Sequence, residues 1–234
     1  MELFILIIIS IIQSVIGVGV LLFGTPIFLL IGYSFFETLV LLLPISIIIS
    51  LLTIIQNRDI NFDIKSLIFL VFFIILGTYF AVEKIQSISI LIISITLLIT
   101  FIFNLFSPHI ISQNFANNKN IILSFIGLLH GITNQGGALL LWFFSNSLKN
   151  KILIRSNVAF TYGIMATFQA ITLVTIDFRG TFELMKLNNV LIPIISFFLG
   201  SYLFRNIRGN EFKKVVNIFI GIFGILLFYK FIFS

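Results

Sequence analysis

The sequence has no cysteine, four prolines, one tryptophan and two histidines, and only 9% of its residues are charged. Without cysteine there are no disulfides, no thiolate nucleophile and no thiolate metal site. Two separated histidines without clustered carboxylates make no metal centre, so no metal and no cofactor is expected. There is no HExxH, and no pair of aspartates lies within an apolar run. No catalytic residue can be assigned, and the chain reads as a non-enzyme. A soluble domain carries roughly 25% charged residues, which coat it against water. That coat is missing here.

What fills the chain instead is apolar. Of the 234 residues, 59% are hydrophobic, and the mean hydropathy is +1.21. The apolar residues come in long runs without alternating faces, which points to lipid as the solvent. The 30 phenylalanines read as lipid-facing packing. The net charge of +6 reads as a topology signal, because lysine and arginine excess in loops orients membrane proteins. It does not call for nucleic acid. The first run lacks a basic leader and exceeds a signal-peptide core.

Eight hydrophobic segments are expected, near 3–31, 38–55, 66–82, 87–106, 121–145, 157–176, 188–204 and 215–233. The fold class that follows is an all-α, multi-pass membrane protein. Short polar connections join the segments, and the longest, 107–120, divides the chain into halves 1–106 and 121–234.

The halves share motifs. Leu76-Gly77-Thr78-Tyr79 returns as Leu199-Gly200-Ser201-Tyr202, and Asn61-Phe62-Asp63 as Thr181-Phe182-Glu183. Gly17-Val18-Gly19 aligns with Asn134-Gln135-Gly136-Gly137, Gly19 facing Gly136. The same order at similar offsets predicts two repeats of four segments. Secondary transporters are commonly built so, with substrate at the repeat interface. Lysines and arginines favour the odd-numbered connections in the second half and weakly the even one in the first. That opposition hints at inverted repeats, with the broken segments re-entrant.

The first and fifth segments are longer than one crossing requires. A straight helix over 3–31 would measure about 43 Å against a hydrocarbon core of about 30 Å. Gly17, Gly19 and Pro26 predict a break in the first. The run Asn134-Gln135-Gly136-Gly137 predicts one in the fifth, since such polar backbone is tolerated only against protein or a water-filled cavity. A half-helix N-terminus exposed at a break holds anions. Gly127 and Gly131 suit close helix packing instead.

Other polar residues have two readings each. His130 is an intramembrane histidine, either functional or bonded to a neighbouring helix; His109 lies in the central loop. Glu37 and Arg155 open the second and sixth segments at matching positions. They could couple protons and neutralise an anion, or sit at an interface with heads in water. Asn157, Thr161, Tyr162 and Gln169 line either a polar path or helix contacts.

With these residues in view, the sequence resembles the sulfite exporter TauE/SafE family, also called toluene-sulfonate uptake permeases. The resemblance rests on the glycine motif opening each half (Gly17-Val18-Gly19-Val20 before Pro26, and Gly131 before Gln135-Gly136-Gly137), the Asn61-Phe62-Asp63 link and the Leu-Gly-x-Tyr pairs. Departures are Val20 and Leu21 where later glycines stand in the family, Asn134 in place of glycine, and no proline after the second motif. The resemblance implies a permease for sulfite, sulfonates or related organosulfur or carboxylate anions, multi-pass in a cell membrane, by implication a bacterial inner one. The expected substrate-binding residues are Gly17, Gly19, His130, Asn134, Gln135, Gly136, Gly137 and Arg155. Expected partners are a small anionic solute and the bilayer, with a homo-oligomer allowed. The competing classes are a structural or assembly subunit of a membrane complex and, last, an integral-membrane enzyme.

Overall fold

The computed structural model describes residues 1–60, 64–84, 89–106, 119–148, 150–183, 188–206 and 209–233. They form eleven helices: α1 Glu2–Ile16, α2 Val20–Leu30, α3 Phe35–Gln56, α4 Ile64–Lys84, α5 Ser89–Phe106, α6 Lys119–Thr133, α7 Gly136–Ser147, α8 Lys151–Ile176, α9 Phe178–Glu183, α10 Asn188–Asn206 and α11 Gly209–Phe233. No strand occurs among the described residues. Three helices are long and apolar enough to cross a membrane unaided: Phe35–Gln56, Ile64–Glu83 and Lys151–Ile176. The remaining long apolar stretches are shorter, including Val190–Arg205 and Asn217–Phe233.

The surface inverts the soluble pattern. Phe4, Phe72, Phe80, Ile195, Phe198 and Tyr229 are among many large apolar side chains turned outward, while Gln13, Ser46, Ser50, His130, Asn134, Gln135 and Gln169 are shut inside. In water this arrangement would expose too much apolar area to remain dispersed. In lipid it is the stable one.

The first and fifth segments do break, but their halves do not continue in line. α1 ends at Gly17, whose N–H closes the last helical turn on the Gln13 carbonyl at 2.7 Å and whose left-handed φ of 94° then turns the chain out of the helix. Glycine takes that conformation without a Cβ penalty. α2 then turns back along α1. A Cβ at Gly24 would lie 3.0 Å from Ile9 Cδ1, and Tyr33 Oη donates to Glu2 Oε2 at 3.1 Å, closing the far end. The fifth segment does the same. A Cβ at Gly136 would lie 2.6 Å from His130 Cβ and 2.9 Å from the Ile126 carbonyl, so α7 folds back on α6. Both segments are helical hairpins whose tips are the predicted breaks.

Helix directions follow from the contacts. α3 and α8 run antiparallel, with Ser50 beside Gly163 and Gln56 beside Arg155. α5 and α11 are also antiparallel, Phe101 lying against Gly221 and Leu97 and Leu98 against Gly224. α4 and α6 run parallel: the Leu70 carbonyl meets Gly127, the Ile74 carbonyl meets Gly131, and Gly77 meets the Leu128 carbonyl. Gly200 of α10 meets Ser14 and the Ile11 carbonyl of α1. Gly127 and Gly131 are therefore packing glycines; a Cβ at either would strike α4 backbone at 2.7 and 2.6 Å.

Two boundaries differ from expectation. The sixth segment begins at Lys151, capped by Asn150 Oδ1 accepting from the Ile152 N–H at 2.8 Å. Arg155 therefore lies in the second turn of α8, not at its start. Asp177 nucleates the short α9, accepting from the Gly180 N–H at 2.9 Å, inside a stretch expected as plain connection. The link Asn61-Phe62-Asp63, His109 and Lys149 lie outside the described residues.

Candidate functional site

α8 passes both hairpin tips. Arg155, Tyr162 and Gln169 lie seven residues apart on it, on one face, at intervals of about 10.5 Å. All three are buried. The first tip packs at the level of Arg155, since a Cβ at Gly17 would meet the Arg155 carbonyl at 2.8 Å and the Ala159 nitrogen at 3.2 Å. Tyr162 stands between the tips. Gln169 reaches the second, its Nε2 donating to the His130 carbonyl at 3.3 Å.

At the first tip the polar groups are paired by the chain itself. Gln13 Nε2 donates to the Ser46 carbonyl at 2.9 Å, Ser46 Oγ at 3.0 Å and Ser50 Oγ at 3.2 Å. Gln13 Oε1 accepts from the Val20 N–H at 3.0 Å, and Tyr162 Oη from the Leu22 N–H at 3.1 Å. These acceptors take N–H groups that a helix start leaves open. Gly17 and Gly19 supply no side chain. A Cβ at Gly19 would lie 2.7 Å from the Gln13 nitrogen, so its role is the tightness of the turn.

The second tip has the same turn and a different outcome. Asn134 takes the left-handed conformation, φ 64°, and its N–H reaches the His130 carbonyl at 2.7 Å. Asparagine is one of the few residues with a side chain that tolerates it. Asn134 Nδ2 donates to Thr25 Oγ1 of α2 at 2.9 Å, tying the two hairpins together. No side chain among the described residues caps α7. Around its start, His130 Nδ1 and Nε2, Asn134 Oδ1, both amide atoms of Gln135 and Gln169 Oε1 have no hydrogen-bond partner among the described residues, and all are buried. Gly136 and Gly137 open the helix. A Cβ at Gly137 would touch the Tyr162 ring at 2.9 Å, and that ring lies 5.4 Å from His130.

Leaving a buried polar group unpaired costs about 1–3 kcal/mol. A cluster of them beside an uncapped helix start is a place where the fold gives up stability. It is also donor-rich without a fixed cation: the first N–H groups of α7, the Gln135 amide and one imidazole nitrogen can all donate.

A model of one protein family, sulfite exporter TauE/SafE, matches residues 3–227. The chain belongs to the sulfite exporter TauE/SafE family. It is therefore a multi-pass membrane protein of a transporter family. No curated protein and no solved structure matches it.

The structure thus gathers five of the eight expected residues, His130, Asn134, Gln135, Gly136 and Gly137, at one tip. Gly17 and Gly19 form the other. Arg155 belongs to neither cluster: its guanidinium turns toward Gln56 and Ser201. Glu37 is exposed and closes a capping box, its carboxylate accepting from the Ser34 N–H at 2.8 Å while Ser34 Oγ accepts from the Glu37 N–H at 3.2 Å. That is its structural reading. Asn157 and Thr161 bond back to helix carbonyls at 2.9 Å. Tyr162 and Gln169 carry more than a shared polar path implied, and Gln13 and Thr25 were not singled out. For Tyr162 and Gln169 the seven-residue spacing from Arg155 was the available signal.

Proposed function

We propose that this TauE/SafE member carries a small oxyanion, such as sulfite, a sulfonate or a related organosulfur or carboxylate compound, across a bacterial inner membrane. The anion is held at the tip of the α6–α7 hairpin. The carrying observation is the cluster of unpaired buried polar atoms on His130, Asn134, Gln135 and Gln169 around the uncapped start of α7. A half-helix N-terminus attracts negative charge by up to about 2 kcal/mol in partly buried geometry. Such a site binds without a formal cation, and weakly enough to release.

The layout we infer is two inverted repeats, residues 1–106 and 121–234. Matching α1, α2, α3, α4 and α5 with α6, α7, α8, α10 and α11 sends the α4–α6 contact onto α10–α1. It sends α3–α8 and α5–α11 onto themselves, and both are antiparallel, as inversion requires. Each hairpin then enters and leaves on one side, and each repeat contributes three crossings. Tyr162 lies eleven residues into α8, about 16 Å along a helix of about 39 Å. The site therefore falls near mid-depth, where transporters of this construction hold substrate.

Purified protein in proteoliposomes should take up labelled sulfite down an imposed gradient, with sulfonate or carboxylate competing and sodium or potassium not carried. Uptake of cations alone removes the anion reading. No uptake of any solute favours an assembly subunit.

A further inference from the structure

We propose that Arg155, Gln56 and Ser201 form a second oxyanion site, separate from the α7 tip and nearer the membrane face where α3 ends. The side chain of Arg155 is 2% exposed. Its Nη1 donates to Gln56 Oε1 at 3.1 Å and its Nη2 to Ser201 Oγ at 3.0 Å. Its Nε has no partner among the described residues, and its guanidinium carbon lies 4.5 Å over the Phe204 ring. No carboxylate pairs with it among the described residues. Every acceptor it has is neutral.

A buried cation without a counter-ion is unfavourable, and proteins place acids against such groups. The aromatic face recovers only part of the loss. The guanidinium fork matches two oxygens of one oxyanion and would bind them side by side. Gln56 Oε1 occupies that position now, shared with Ser201 Oγ, which donates to it at 3.2 Å. Gln56 is the last residue of α3 and is exposed. Its side chain can swing into water and leave Arg155 and the Ser201 hydroxyl to an incoming anion. Exposed Arg58, Lys151 and Arg205 surround this end, and Lys151 Nζ reaches the Arg205 carbonyl at 3.4 Å. Such a rim raises the local anion concentration. Arg155 sits two helical turns from Tyr162 on the same face of α8, so its site opens a route whose far station is the α7 tip. That role rests on the transport reading; the existence of the site does not.

The test is sulfite titration by calorimetry of the full chain in phosphatidylcholine nanodiscs, at fixed ionic strength with gluconate as the balancing anion. The wild type should bind two equivalents. Arg155→Gln should bind one, and Gln135→Leu should retain the one that Arg155→Gln loses. Gln56→Leu, which removes the competing acceptor, should tighten the Arg155 equivalent several-fold. That variant keeps the cation and serves if Arg155→Gln fails to fold. Two equivalents in Arg155→Gln, or unchanged or weaker binding in Gln56→Leu, overturns the proposal. Loss of one equivalent in Arg155→Gln together with two in Gln135→Leu upholds it and overturns the α7 site instead. A wild type that binds none overturns both.

Discussion

Gly17 and Asn134 end their helices alike, both left-handed, each with its N–H 2.7 Å from the carbonyl four residues back. The residues holding those carbonyls, Gln13 and His130, then part company. Gln13 fills every position its amide offers and caps the returning helix. Among the described residues, His130 pairs neither ring nitrogen, and its returning helix is uncapped. One tip is finished internally; at the other, buried polar atoms stay unpaired among the described residues, which is the ground for the anion site proposed there. Two turns of similar backbone thus differ in what their side chains pair with, and on the proposed reading that difference separates scaffold from site.

The contrast breaks most sharply at Gln13. Gln13→Leu strands the Ser46 and Ser50 hydroxyls and the Val20 N–H in an apolar interior. At about 1–3 kcal/mol for each unpaired group, we expect a loss on the order of 3 kcal/mol or more. His130→Leu breaks no side-chain hydrogen bond to a described residue and should leave stability level or higher. Thermal unfolding of both variants in the same detergent measures the difference, and equal losses would erase the distinction between the tips.

Gly17→Ala should follow, losing about 1–3 kcal/mol from left-handed strain and from a Cβ placed 2.8 Å from the Arg155 carbonyl. Asn134→Gly relieves the same strain and loses only the bond to Thr25, so its net change should stay within about 1 kcal/mol. The same melts read it. Tyr162→Phe is the smallest of the stability effects on the first tip, about 1 kcal/mol for the Leu22 N–H left without its acceptor. It sharpens the comparison because the ring still packs on Gly137 and His130. A Tyr162→Phe melt displaced as far as that of Gln13→Leu would mean that the phenol, not Gln13, closes the first tip.

Much of this was legible in sequence. Apolar runs marked the helices, and Gly17–Gly19 and Asn134–Gly137 marked the breaks, because those residues disfavour helix wherever they stand. The turn-back was hinted only by loop charges. Whether a glycine-rich tip continues or reverses is decided by what packs along it, here Ile9 against Gly24, fifteen residues apart. The difference between the tips was not legible either. Gln13 finds Ser46 and Ser50 on another helix, and no pattern local to residue 13 announces them. Arg155 read either as an anion ligand or as an interfacial charge, because charge usually snorkels. Its burial comes from α10, whose Ser201 and Phe204 close over it.

The most direct measurement is sulfite uptake by proteoliposomes bearing Gln135→Leu, with protein amount and melting temperature matched to wild type. The Gln135 side chain makes no hydrogen bond among the described residues, so replacing it removes nothing that holds the fold. If it binds the passing anion, uptake at low sulfite should fall about tenfold, the equivalent of one hydrogen bond of about 1.4 kcal/mol. Uptake at the wild-type rate from a normally folded variant would contradict the assignment of the second tip as the anion site.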